Sequence, residues 1–135
     1  MPPVDEAARQ IDAVIRRWAD AVHAGDLARV LEDHAADIVM FDVPPPDAGV
    51  RGIDAYREVW PSFFAWQRQG ALFEIEELNV TADGGVAFAW ALLRCGTPDE
   101  LDRDPAARLR LTIGLRRQGD RWLVTHEHHS FPHRS

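Results

Sequence analysis

Hydrophobic positions in the first third of the chain repeat at helical spacing. Ile11, Val14, Ile15, Trp18 and Val22 recur at three- and four-residue steps, which places them on one face of a helix from about Val4 to Ala24. Gly25 stops that helix, and Asp26 is placed to cap a second one with the stripe Leu27, Val30, Leu31 and His34. A short extended stretch, Ile38 to Val43, comes next. The prolines at 44, 45 and 46 forbid both helix and central strand, so Pro44 to Gly52 reads as a loop. Ile53, Tyr56, Trp60 and Phe63/Phe64 then share the face of a third helix, which Pro61 is expected to bend or break.

From Phe73 onward the period changes. Phe73 to Val80 has strand composition, Asp83-Gly84-Gly85 is a hairpin turn signal, and Val86 to Cys95 alternates Phe88, Trp90, Leu92 and Arg94 against smaller residues. Cys95 to Ala107 carries a glycine, two prolines and four acids and reads as a loop. Arg108 to Arg117 and Arg121 to His129 are two further strands, joined at Gln118-Gly119-Asp120. The pattern predicts an α+β domain with three N-terminal helices packed on one face of a curved antiparallel sheet.

With 135 residues, 46% hydrophobic and 27% charged, the chain has the length and apolar content for one domain, residues 1–135, with its own core. The net charge is -7 and every basic residue is an arginine, scattered without a stripe, which argues against nucleic acid or an anionic membrane as partner. The N-terminus lacks a basic leader region, and the longest apolar run, Val86 to Leu93, is much too short to span a bilayer. The expected location is the cytoplasm. Cys95 has no partner in the chain, and a buried thiol is expected.

The segment "AVHAGDLARVLEDHAADIVMFDVPPPDAGVRGIDAYREVW" resembles the N-terminal half of the nuclear transport factor 2-like superfamily, and "LRLTIGLRRQGDRWLVTHEHHSFP" resembles the C-terminal half of its SnoaL-like branch. The most specific parts are the "AGDL" helix break, the "RGIDAYRE" third helix, and the ending from Trp122 to His128-His129-Ser130-Phe131-Pro132. The resemblance implies a cone-shaped fold with a deep, mostly apolar pocket between helices and concave sheet, in a homodimer, without cofactor or metal. It does not fix an activity, because this fold carries isomerases, dehydratases, cyclases, epoxide hydrolases and domains with no catalysis.

Four histidines lie in "HEHHSFPH". On a strand, His126, His128 and Ser130 share one face while Glu127, His129 and Phe131 share the other. A zinc-protease motif would need His-Glu-x-x-His on a helix, and here the fifth position is Ser130 on a strand. His126 and His128 would chelate a metal only with a third ligand such as Asp42 or His34. His129 and His133 are expected at the surface or the frayed end.

The resemblance places Asp42, in "ADIVMFDVP", where the steroid-isomerase branch carries a proton-shuttling aspartate. An aspartate among aromatic side chains has its charged form disfavoured, which suits a general base. The alternative is that Asp42 accepts hydrogen bonds from the N–H groups of the following loop. Where that branch carries an oxyanion-stabilising tyrosine, this chain has Trp18, whose indole N–H stabilises an enolate much less, and this weighs against steroid isomerisation. Arg110 and Thr112 alternate against Leu109, Leu111, Ile113 and Leu115, so Arg110 either enters the pocket as an anion clamp or belongs to a solvated row. Arg94 is placed to pair with an acid of the following loop or to touch a ligand.

The reading is therefore a domain that binds a small apolar organic molecule, with cofactor-free proton transfer next to a carbonyl as the favoured chemistry. Asp42 is the candidate base, His128 the proton relay and Arg110 the anion stabiliser. Trp18, Tyr56, Trp60, Trp90, His126 and Thr112 are the candidate binding residues. The other reading is a ligand-binding or association module without chemistry.

Overall fold

Helix α1 (Pro3–Ala24) lays Ile11, Val14, Ile15, Trp18 and Val22 into the core, the stripe that the sequence spacing marks. Burying each of these large side chains contributes on the order of 1.5–3 kcal/mol. The computed structural model describes residues 3–133. Gly25 turns the chain at φ +69°, and Asp26 caps α2 (Leu27–Leu31) by accepting the Arg29 N–H.

Helix α2 is shorter than the apolar stripe suggests. Asp33 adopts a left-handed φ of 58°, and His34 already begins strand β1 (His34–Phe41). The loop after β1 contains the two-residue strand β2 (Val50–Arg51), which pairs back on Val39 and Met40. Helix α3 (Ile53–Gln67) runs through Pro61 without ending, and buries Tyr56, Trp60, Phe64 and Gln67.

Strands β3 (Leu72–Asp83) and β4 (Val86–Gly96) form a long hairpin, followed by β5 (Leu109–Gln118) and β6 (Arg121–Ser130). The stretch expected to be wholly loop, Cys95 to Ala107, holds helix α4 (Pro98–Arg103), closed by a capping box between Thr97 and Glu100. The described residues thus contain four helices rather than three.

The six strands form one curved, unclosed sheet in the order β2-β1-β6-β5-β4-β3. All neighbours are antiparallel except β1 and β6, which pair in parallel. A parallel pair needs a long crossover, and here most of the chain serves as one, which no local pattern signals. Helix α1 packs over β3, while α3 packs over β1 and β2.

A bulge at Thr125 decides which face of β6 meets the helices. Gly114 pairs with His126 and Leu115 with Val124, leaving Thr125 as the extra residue. Before it, Trp122 and Val124 point into the core; after it the phase reverses, and Glu127 and His129 point inward. His126, His128 and Ser130 consequently occupy the outer face.

Candidate functional site

Glu127 is a carboxylate at 1% exposure beneath the helices, and every group around it is a donor. Oε2 accepts from the Tyr56 hydroxyl at 2.8 Å and from His34 Nε2 at 2.9 Å, while Oε1 accepts from His129 Nε2 at 2.8 Å. The Tyr56 hydroxyl in turn accepts from Trp18 Nε1 at 2.9 Å. These residues come from α1, β1, α3 and β6, so the network ties the helical layer to the centre of the sheet.

His34 Nδ1 lies 2.7 Å from the Glu32 carbonyl and its Nε2 lies 2.9 Å from the carboxylate, so an acceptor flanks each ring nitrogen. Burial alone would push the Glu127 carboxyl up, but the hydrogen bonds from His129 and His34 outweigh it and hold it near 2. Burial, and then the charge on Glu127, push the Tyr56 phenol well above its usual range, so it remains a donor. An unpaired buried carboxylate would cost several kcal/mol, and here three donors offset that cost.

His129 uses only one of its nitrogens in this network. Among the described residues the sealed side-chain polar atoms without a partner are Trp60 Nε1 and Gln67 Oε1, and the His129 side chain borders open space. The Trp60 indole N–H, though outside hydrogen-bonding geometry, still bears on the Tyr56 hydroxyl.

The space beside His129 is a cavity of about 490 Å³, within the range of small-molecule sites. Trp60, Phe63, Trp66, Phe73 and Phe131 give it an aromatic wall, and the Val43 to Pro45 segment closes one side. Its polar lining consists of Asp42, Ser62, Cys95, Glu100 and His129. Cys95 is half-buried, and burial together with the nearby Glu100 charge pushes its thiol up to about 12.

Of the nine residues that the sequence marks for catalysis or binding, Asp42 and Trp60 line this cavity. Asp42 also accepts the Val43 N–H at 2.8 Å, so its loop-bonding role and its place in the wall coexist. Arg110 does not enter: Leu109, Leu111, Ile113 and Leu115 take the core face, and Arg110 lies exposed, donating to Ser130 Oγ at 3.2 Å. His128 is exposed on the same outer face against Phe41, and Thr112 pairs beside it. Trp90 is 37% exposed on that face as well.

His126 also lies outward, with Nδ1 on the Val39 carbonyl at 2.6 Å. Asp42, His128 and Arg110 are therefore not brought together. Trp18 and Tyr56 are core residues behind the cavity wall, bonded into the Glu127 network and packed against Trp60, and Trp18 also against Phe73 and His129. Arg94 donates to the Pro105 and Ala107 carbonyls rather than to an acid.

His129 corrects the expectation of a surface position, because the Thr125 bulge turns it inward and leaves it 6% exposed. Glu127 and His34 carry no role in the sequence reading beyond a shared strand face and a third metal ligand. The available signal was Glu127-x-His129 on one strand face, together with a tyrosine on the third helix. Among the described residues no group of three His, Cys, Asp or Glu side chains is arranged to hold a metal ion, and no helix is long and apolar enough to cross a membrane.

A layer of helices over an open, curved sheet with a cavity between them defines the cystatin-like, nuclear transport factor 2-like (NTF2-like) architecture. Residues 11–134 match the model of the SnoaL-like domain, and the chain belongs to that family. An NTF2-like protein of unknown function from Pseudomonas putida KT2440 is 35% identical, over 95% of this chain and 88% of that one, with a TM-score of 0.83. A proposed dehydratase of the NTF2-like family from Streptomyces avermitilis is similar in fold, with 12% identity, coverage of 96% and 99%, and a TM-score of 0.73. A proposed ketosteroid isomerase from Shewanella frigidimarina shares 20% identity over 87% of this chain and 92% of that one, at a TM-score of 0.70. No match was found among the curated proteins.

Proposed function

We propose that the cavity binds a small, largely apolar carbonyl compound and that His129 moves a proton on it, in an isomerisation, dehydration or cyclisation that needs no cofactor. The observation that carries this reading is the pairing of a buried carboxylate with a cavity-facing imidazole. Glu127 holds His129 Nε2–H at 2.8 Å and leaves Nδ1 toward the guest. Nδ1 takes the proton from the carbon next to the carbonyl, the C–H electron pair forms the new carbon–carbon double bond while the carbonyl π pair moves to oxygen, and the same nitrogen returns the proton at another position. The low basicity of Glu127 keeps the proton on His129 rather than letting it pass on to the carboxylate. Asp42, on the same cavity wall, is the second acid–base group. The dehydratase and isomerase proposed for two fold relatives are in keeping with this chemistry.

The test is exchange of the α-protons of 2-tetralone in D₂O, followed by proton NMR. The expected result is exchange above the buffer rate that His129→Gln abolishes and Asp42→Asn reduces. Exchange no faster than buffer with a ligand that saturates the cavity would leave a binding role without chemistry.

The homodimer is likewise a proposal. The outer sheet face presents Phe41 on β1 and Phe88 and Trp90 on β4 at 39%, 52% and 37% exposure, and apolar patches of this kind mark association surfaces.

A further inference from the structure

Oxygen acceptors make up much of the polar wall of the cavity. Asp42 Oδ1 takes the Val43 N–H, which leaves Oδ2 for a guest. Glu100 Oε1 takes the Thr97 N–H, which leaves Oε2. The Ser62 hydroxyl gives its hydrogen to the Val59 carbonyl at 3.4 Å and keeps its lone pairs. His129 gives its Nε2–H to Glu127 and keeps Nδ1, on a side chain that is 6% exposed. Among the described residues the lining side chains able to donate are the Cys95 thiol, which donates weakly, the Trp66 indole N–H and the Trp60 indole N–H, which is sealed from solvent. Among the described residues no arginine lines the wall, and the chain has no lysine.

We infer that the ligand of this cavity is a hydroxyl-bearing aromatic or alicyclic carbonyl compound without negative charge, its hydroxyl hydrogen directed at the free oxygen of Asp42. This rests on the reading of the cavity as the ligand site and narrows its substrate class. A carboxylate, sulfate or phosphate ester would meet two carboxylates and, among the described lining residues, no arginine, which is repulsive. A guest without a donor would strand the acceptors, whereas a hydroxyl satisfies them. The aromatic wall supplies the apolar contact.

The experiment uses three probes of one shape: 2-naphthol, 2-methoxynaphthalene and 2-naphthoate. Each is titrated at pH 7 into ¹⁵N-labelled protein while the indole signals of Trp60 and Trp66 are followed. 2-Naphthol is expected to bind roughly ten-fold or more tighter than 2-methoxynaphthalene, the usual scale for a satisfied acceptor, and 2-naphthoate is expected to bind weakest. In Asp42→Asn/Glu100→Gln the handicap of 2-naphthoate should shrink at least several-fold. Binding of 2-naphthoate or 2-methoxynaphthalene as tight as that of 2-naphthol would overturn the inference and leave the cavity as a ligand site. Failure of all three to move the indole signals would remove both.

Discussion

His129 Nε2 lies 2.8 Å from Glu127 Oε1, two residues back on the same strand. Alternation on a strand puts both side chains on one face, and the bulge at Thr125 makes that face the inner one. A carboxylate and an imidazole so placed form a dyad in which the carboxylate sets tautomer and ring orientation, while the far nitrogen meets the cavity. The behaviour of Glu127 therefore tests both the stability and the chemistry of the fold.

Replacing Glu127 by Gln leaves the volume unchanged but removes the charge that three donors converge on. Breaking one side of a buried ion pair costs about 3–5 kcal/mol, and His34 and His129 would both lose the carboxylate they bond. Urea unfolding followed by tryptophan fluorescence should show a loss of that order. A loss below about 1 kcal/mol would mean that the network contributes little.

Acid should act on the same group. The Glu127 carboxyl sits near 2 in the folded protein against an ordinary value of 4.5. Its stabilising contribution is complete above pH 4.5, where the unfolded chain is also ionised, and is lost progressively as pH falls from there toward 2. Urea midpoints measured from pH 6 to pH 3 should fall more steeply in the wild type than in Glu127→Gln.

Tyr56→Phe isolates the hydroxyl that accepts from Trp18 and donates to Glu127. Stranding a buried N–H and removing one donor from the carboxylate should cost about 1–3 kcal/mol. Tyr56 is not part of the cavity wall, so binding of a cavity ligand should change less than three-fold in that variant.

Cys95 reports on the cavity. With its thiol pushed up to about 12, reaction with iodoacetamide at pH 8 should be far slower than for free cysteine, because the thiolate is the nucleophile. A ligand filling the cavity should slow it further, as mass spectrometry of the alkylated protein would show.

The outer face makes a separate prediction. Arg110→Ala and His128→Ala should alter stability by no more than about 0.5 kcal/mol, as surface changes do, and should leave α-proton exchange intact. Trp90→Glu should shift sedimentation velocity from dimer to monomer if the exposed aromatic row is the association surface.

The helical layer was legible in the sequence because one stripe of apolar residues at regular steps has a single interpretation, as Ile11 to Val22 illustrates. The strands from Phe73 onward were legible for the same reason. What the pattern could not carry was phase. Arg108 to Leu115 alternates cleanly, yet alternation does not say which face is inward, and Arg110 turned out to face solvent. In β6 the bulge at Thr125 changes phase within the strand, so the inward positions before and after it differ by one. His34 looked like the end of a helical stripe because its spacing from Leu31 and Val30 fits a helix. The left-handed turn at Asp33 instead starts a strand whose partner, β6, lies near the other end of the chain. Asp42 and Trp60 were found because they stand on segments whose position is local, whereas the Glu127 network joins four distant segments.

The most direct measurement is long-range ¹H–¹⁵N correlation NMR of the His129 ring, assigned by its loss in His129→Gln, with and without a saturating cavity ligand. The account predicts the Nε2–H tautomer near neutral pH and a large shift of Nδ1 alone when ligand enters. A hydrogen on Nδ1 with Nε2 bare, or a ring indifferent to ligand, would contradict the assignment of His129 as the group that moves the proton.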